Sequence, residues 1–317
     1  MSQTRHAIFG AGQVGSRLAQ LLLERGHEVR VAKRSPGGIP QGAEAVLGDA
    51  ADPAFCTTAA AGAATVYHCM NPPYSAKVWG EVLPRYMTNL IGASARAGAR
   101  LVVLDNVYML GKPNGKPLSA ETPMNPCSRK GEIRAQTAQM LFDAHRRGDI
   151  RATAGRASDF YGPGGTLTQL GDYFWPRVLK GASGQLLANP DAIHTYHYIP
   201  DVAAGLATLG AAPDEVFGRP WMLPCRPAES LRDLVRRLET PFRAPIAFTV
   251  LPSWMRAVLG VFMPPLREMP EMQYQWEEPF VIDDRHFRER FGALPEEAGR
   301  AAEATVAWAR AHYASTR

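Results

Sequence analysis

The sequence predicts an α/β protein: a Rossmann-like, doubly wound parallel sheet with a smaller C-terminal α/β lobe. Two observations carry this. Through the first half, short apolar runs alternate with amphipathic stretches of helical spacing, which implies βαβ units and a parallel sheet. The first apolar run also ends directly in "GAGQVG" (10–15), glycines spaced G-x-G-x-x-G between a strand and a helix, the context a dinucleotide-binding turn requires.

The elements follow in order. "HAIFG" (6–10) is a strand ending in glycine, and "SRLAQLLLERG" (16–26) has helical spacing with a glycine stop. "HEVRVA" (27–32), "AEAVLGD" (43–49) and "AATVYHCMNP" (63–72) read as further strands. "YMTNLIGASARAG" (86–98) is a helix closed by Gly98, and "ARLVVLDNVYMLG" (99–111) holds the fifth strand. A helix over 127–147 comes next, with Asn125 and Pro126 as its cap and first residue, and then "IRATAGRASDFYGPGG" (150–165). After residue 213 proline becomes frequent, and "LRDLVRRLE" and "EEAGRAAEATVAWARAHYA" are the clearest helices. The expected domains are a Rossmann-like domain over 1–157, with 191–225 returning to it, and a smaller lobe over most of 158–317.

Composition narrows the function classes. The 317 residues are 46% hydrophobic and 21% charged, with a formal net charge of +5, ordinary for a globular chain with a sizeable core. There is no basic run or zinc-finger spacing, which argues against nucleic acid. No apolar stretch has the roughly 18 uninterrupted residues of a spanning helix, and "MSQTRHAIFG" leads straight into a strand pattern, so neither a membrane nor a signal peptide is expected. Cys56, Cys69, Cys127 and Cys225 are far apart and form no CxxC, which fits a reduced, cytoplasmic chain without a metal site.

The glycine turn assigns the first candidate residues. Gly10 permits the tight turn, Gly12 lets the backbone approach a pyrophosphate, and Gly15 allows close helix–strand packing. The helix start at Gln13 and Val14 then faces the phosphates with its partial positive charge. An NAD site places Asp or Glu after the second strand to bind the ribose 2′-OH. Here Lys33 and Arg34 stand there, and two cations suit a 2′-phosphate, so NADP(H) is expected over NAD(H). Asp49 in "LGDA" is an adenine-side candidate or a turn residue, and Asn71 joins the cofactor-side set.

From these motifs onward the chain resembles the extended short-chain dehydrogenase/reductase superfamily, of the NAD-dependent epimerase/dehydratase type. "LGDAAD", "YMTNLIGASARAGARLVVLD", "GRASDFYGPGG" and "YHYIPDVAAGLATLG" carry the resemblance beyond the glycine turn. It implies a Rossmann-like domain plus a small substrate lobe with substrate in the cleft between them, and members that are often dimers. It also implies a serine or threonine after the fifth strand and Tyr-x-x-x-Lys on the next helix. By position the serine falls on Asn106, the tyrosine on Lys130 and the lysine on Arg134, so this is an atypical member.

Helix geometry says whether "NPCSRKGEIR" (125–134) is a wet face. At about 100° per residue, with Lys130 at 0°, Ile133, Thr137, Leu141 and Ala144 fall within about 60° of it and Arg134 near 40°. Arg129, Glu132, Gln136, Gln139 and Asp143 gather on the opposite side. Both cations therefore lie on the apolar stripe, where an unpaired charge is costly, and the favoured reading is a cationic site at the nicotinamide end of the cofactor. The missing acid is then Tyr108 in "LDNVYMLG", whose phenol two cations would shift toward phenolate, or Lys130 itself.

On the substrate side the resemblance implies an asparagine holding the diphosphate of a sugar nucleotide. Asp159 stands in its place, and an acid there repels a diphosphate. His194 and His197 in "DAIHTYHYIPD" flank the expected cleft. Trp254, Met255, Phe262, Met263, Met272, Tyr274 and Trp276 could line an apolar pocket or form ordinary core. The sequence thus reads as an NADP(H)-dependent oxidoreductase with a modified active site, acting on a small carbonyl or alcohol. The alternatives are an NADP(H)-binding redox sensor without catalysis and a nucleotide-sugar epimerase or dehydratase.

Overall fold

The computed structural model describes residues 3–252, Met255 and 267–314. In chain order the strands are β1 (Arg5–Phe9), β2 (Glu28–Lys33), β3 (Glu44–Leu47), β4 (Thr65–His68), β5 (Arg100–Asp105), β6 (Ala152–Arg156), β7 (Phe160–Tyr161), β8 (Gly184–Leu186), β9 (Ile193–His194), β10 (His197–Tyr198), β11 (Pro220–Met222), β12 (Glu229–Ser230) and β13 (Phe248–Val250). The helices that matter below are α1 (Gln13–Glu24), α2 (Pro53–Ala60), α3 (Ala76–Ala97), α4 (Arg129–Arg146), α5 (Trp175–Val178), α6 (Ile199–Ala211) and α7 (Leu231–Phe242), with Tyr274–Glu277, Arg285–Phe291 and Ala298–Ala314 after them.

The chain forms two compact units. The first comprises residues 1–111, 123–157 and 202–223, and the second 112–122, 158–201 and 224–317. Residues 112–122 thus belong with the second unit, and the return to the first spans 202–223 against the expected 191–225.

The first unit is built on a seven-stranded sheet in the order β11-β6-β5-β4-β1-β2-β3, with every pairing parallel. β1 lies inside the sheet, Ile8 opposite Val31 on one side and Tyr67 on the other. The order reverses between β1 and β4, and in such sheets ligands bind outside the carboxyl ends of the strands at that point. Strands buried on both faces read as continuous apolar runs, and Ala7, Ile8 and Phe9 are fully buried. On α1 the buried residues Val14, Leu18 and Leu22 recur every four positions, the spacing that puts one helix face on a sheet.

Three details differ from expectation. α2 is absent from the sequence reading; its start is Asp52–Pro53, with Asp52 Oδ1 accepting from Ala54 N at 2.8 Å, but "FCTTAA" has no polar face to mark a period. α3 begins ten residues before Tyr86 and tolerates Pro84 within it. α4 is capped by Ser128, whose Oγ accepts from Gly131 N at 3.0 Å, and not by Asn125. Asn125 N instead donates to Met109 O at 2.9 Å, so the chain is tied to the preceding turn before it reaches Ser128.

Among the described residues the second unit holds three short strand pairs, β7–β10 and β8–β13 parallel and β9–β12 antiparallel. α7 and the helix Ala298–Ala314 bury Leu231, Leu234, Val235 and Leu238 and Ala301, Ala302 and Val306. The four cysteines are free.

Candidate active site

The glycine turn is shaped by close approach. Gly10 sits at φ +95°, and a Cβ there would meet Cys69 backbone at 3.0 Å. A Cβ on Gly15 would lie 1.9 Å from Gly10 O, so α1 can leave the sheet here only without a side chain. Gly12 faces open space and is the N-cap of α1, with no side-chain cap and no acid in the first turn. A helix start without a side-chain cap or an acid, led by a glycine open to approach, suits the phosphates of a dinucleotide. Gln13 and Val14 are the first two residues of that helix.

At the end of β2, Lys33 is half-buried and Arg34 exposed. Lys33 Nζ donates to Gly37 O in its own loop, and that loop returns to α1, where Ser16 Oγ reaches Gly38 O at 3.5 Å. Both cations therefore stand beside the glycine turn. Asp49 is exposed, accepting from Ala51 N at 2.9 Å and from Tyr86 OH at 3.4 Å. Asn89 of α3 ties the same turn down, its Nδ2 donating to Ala50 O at 2.8 Å.

Lys130 and Arg134 lie on the buried face of α4, 0% and 7% exposed, with Ile133, Thr137, Leu141 and Ala144. This is the stripe the helical wheel marked. Lys130 Nζ lies 4.5 Å from the centre of the Tyr74 ring, and Arg134 Cζ 4.7 Å from that of Trp79. Trp79 stacks on Tyr108 at 6.1 Å and meets Tyr74 edge-on at 5.5 Å. Two cations and three aromatic rings thus form one cluster, with each cation facing a ring's negative face.

Arg134 is also held by anions and dipoles. Its Nη2 donates to Asn71 Oδ1 at 2.7 Å, and its Nη1 lies 3.5 Å from Asp105 Oδ1. Arg156, the last residue of β6, approaches Asp105 Oδ2 at 3.7 Å. Burial pushes the Asp105 carboxyl above its usual value, and the two guanidiniums offset part of that shift. Burial pulls Arg134 and Arg156 down, against the pull of Asp105. His68 lies against Arg134 and is driven to about 3 by burial first and that cation second, so it is neutral. A void of about 10 Å³ among His68, Asp105, Arg134 and Thr137 has room for one water.

Tyr108 begins a short 3₁₀ turn, Tyr108–Leu110, whose N–H is caught by Asn106 Oδ1 at 3.1 Å. A Cβ on Gly131 would lie 2.6 Å from Tyr108 O, so this glycine lets the turn sit on α4 beside Lys130 and Arg134. Sequence reasoning missed Asp105, Arg156, Tyr74, Trp79 and Gly131. An arginine in the fully buried strand β6 (Ala152–Arg156) and an acid closing "RLVVLD" were the available signals; the aromatic partners carried none.

In the second unit, Trp276 Nε1 donates to Asp159 Oδ2, and His194 Nε2 lies 3.4 Å from the same oxygen. His194 Nδ1 donates to Gln275 O at 2.9 Å. His197 is fully buried, its Nδ1 accepting from Ser158 N at 3.2 Å. It fixes the backbone next to Asp159, and its own backbone N–H donates to Asp159 O at 2.7 Å. Met272, Tyr274 and Trp276 are buried and Met255 half-buried, while Trp254, Phe262 and Met263 lie outside the described residues. Among the described residues no three His, Cys, Asp or Glu side chains gather to hold a metal, and no helix is long and apolar enough to cross a membrane.

A parallel sheet in this strand order, with an uncapped, glycine-led helix at its switch point, defines a Rossmann-type dinucleotide-binding protein of the short-chain dehydrogenase/reductase kind. The sequence pattern of the NAD dependent epimerase/dehydratase family matches residues 8–221. The chain belongs to that family of enzymes and shares its NAD(P)-binding architecture. Among curated proteins it is 24% identical to UDP-glucuronic acid decarboxylase 1 of Xenopus tropicalis over 63% of this chain and 52% of the relative; it thus spans about half that relative's length. Among solved structures it resembles UDP-glucose 4-epimerase of Thermus thermophilus in complex with NAD (TM-score 0.75, 19% identity, 96% of this chain and 99% of that one). It also resembles a dTDP-glucose 4,6-dehydratase double mutant of Streptomyces venezuelae with NAD bound (TM-score 0.77, 16% identity, 99% and 100% covered). These likenesses concern the fold.

Proposed function

We propose that the chain is an NADP(H)-dependent oxidoreductase whose active site departs from the family pattern and which interconverts a carbonyl compound and its alcohol. The observation that carries the cofactor reading is the pair Lys33 and Arg34 where the second strand ends beside the open glycine turn. A guanidinium and an ammonium match a 2′-phosphate, and each charge-assisted contact is worth about 1.5–3 kcal/mol. Replacing both by glutamate should weaken NADPH binding by about 100-fold or more and leave NADH within a few-fold. An unchanged NADPH:NADH affinity ratio in a fluorescence titration would sink the assignment.

Bound NADPH supplies hydride, and the protein must supply a proton to the carbonyl oxygen. Tyr108 is the proposed donor. Its ring is half-exposed, whereas Lys130 has no exposed surface. Lys130 and Arg134 then act from beneath, as fixed positive charge that favours the phenolate left after proton donation. Asn106 positions the turn. Tyr108→Phe should lower turnover by about 10²–10⁴ with NADPH affinity unchanged; full turnover would refute the role. A nucleotide-sugar epimerase or dehydratase is the second reading, favoured by what the named relatives act on, with Asp159 standing against it. A homodimer and a cytoplasmic location complete the proposal.

A further inference from the structure

At the carboxyl ends of β5 and β6 the first unit holds more positive than negative charge. Arg134 and Arg156 both turn to one acid, Asp105, at 3.5 Å and 3.7 Å. Among the described residues no second carboxylate reaches either guanidinium, and neither Nε atom makes a hydrogen bond. Arg134, Arg156 and Asp105 are all buried, so water screens the excess charge poorly. His68 beside Arg134 is neutral, and Lys130, buried one turn earlier on α4, is a further cation.

This charge lies close to the glycine turn. A Cβ on Gly10 would meet Met70 Cγ at 2.8 Å and the Cys69 backbone at 3.0 Å. The next residue, Asn71, accepts from Arg134 Nη2 at 2.7 Å. One side chain thus separates the guanidinium from the residues that touch the turn. Lys33 and Arg34 stand on the opposite flank, where β2 ends, and β1 runs between β2 and β4. A dinucleotide crosses such a sheet at the switch point. With its pyrophosphate on the start of α1 and its 2′-phosphate toward β2, its nicotinamide half is directed to the β4 flank, where Asn71 and Arg134 stand.

The oxidised nicotinamide ring carries a positive charge and the reduced ring none. Aromatic faces would favour the cationic ring, but those of Trp79 and Tyr74 are already turned to Arg134 and Lys130. We propose that the first unit binds the reduced cofactor more tightly than the oxidised one, because the excess charge of Arg134 and Arg156 repels the oxidised ring. The inference rests on the reading of the protein as an NADP(H)-dependent oxidoreductase and adds a preferred redox state to its cofactor site. Each tenfold of preference makes the bound couple more oxidising by about 30 mV. On the protein this favours the half of the interconversion in which the alcohol passes its hydride to the cofactor and its hydroxyl proton to the Tyr108 phenolate, becoming the carbonyl.

Calorimetric titration of the full chain with NADPH, NADP⁺, NADH and NAD⁺ tests it. NADPH should bind about tenfold or more tightly than NADP⁺. NADH should exceed NAD⁺ by the same factor, because the 2′-phosphate cancels within each pair. Arg134→Gln, which removes the charge, should bring both ratios within about threefold, and Arg134→Lys, which keeps it, should hold them near the parent value. An Arg134 that served only the fold would weaken both forms together and leave the ratios alone. Equal or tighter binding of the oxidised forms in the parent, unchanged ratios in Arg134→Gln, or the same loss in Arg134→Lys would overturn the proposal. Reduced forms that bind tighter without any gain from the 2′-phosphate would fail the NADP(H) reading and leave this one standing. Binding of none of the four would overturn both.

Discussion

Replacing Asp105 by asparagine removes one charge and almost no volume, and the consequence can be worked out from the two guanidiniums it faces. At 3.5 Å and 3.7 Å, each pair has a Coulomb energy of about 4–5 kcal/mol at an effective dielectric of about 20. The cost of desolvating three charges offsets most of that gain, but removing only the anion leaves two buried cations uncompensated. Breaking a buried pair in this way costs about 3–5 kcal/mol. Asp105→Asn should therefore lower the urea midpoint substantially, with a loss of that size at neutral pH. In an Arg134→Met background the same substitution should cost at least about 1 kcal/mol less, because one of the two stranded cations is gone. The assay is urea unfolding of the parent protein, both single variants and the double variant, followed by circular dichroism. A loss under about 1 kcal/mol for Asp105→Asn alone would refute the reasoning, and full additivity would show that Asp105 does not act on Arg134.

Two other outcomes follow from geometry and titration. Gly131→Ala places a Cβ 2.6 Å from Tyr108 O and must shift the turn; turnover should fall about 10–100-fold while NADPH affinity stays within about twofold, and kinetics with a separate cofactor titration distinguish this from general damage. His6 and His68 are held near 4 and 3, in both cases chiefly by burial, below the ordinary value of about 6.5 they regain on unfolding. Their contribution is complete above about pH 6.5 and is lost as pH falls from there toward 4, by about 3 kcal/mol or more for His6. Urea midpoints measured from about pH 7.5 to 4.5 should drop over that window, and a flat profile would contradict the assignment.

Much of the first unit was legible because its signals are local. A parallel strand buried on both faces must be apolar, and a glycine at φ +95° followed by one whose Cβ would lie 1.9 Å from a carbonyl oxygen leaves few substitutes. The position of Lys130 and Arg134 on the buried face followed from periodicity alone. What stayed hidden depends on partners distant in sequence. No spacing ties Arg134 to Asp105, 29 residues away, or Trp276 to Asp159, 117 residues away. α2 went unseen because its alanines and threonines have no contrast in polarity. The cap of α4 was misplaced because Asn125 has a better use on Met109, something only the folded turn reveals. His197 looked like a cleft residue by its neighbours in sequence, yet its ring serves the backbone at Ser158.

The outermost strand of the seven has a consequence for biosynthesis. β11 (Pro220–Met222) pairs with β6, although the two are far apart in the chain, with β7 to β10 between them. A nascent chain must emerge past β11 before the sheet can be completed. Until then β6 (Ala152–Arg156) is an open edge, wholly apolar but for a threonine and the terminal arginine, and such edges recruit other strands. A fragment ending at residue 157 would keep the glycine turn and both helix-borne cations yet present that edge permanently. Expressed alone it should therefore accumulate in aggregates, and a cell making the whole chain has reason to shield this stretch during synthesis.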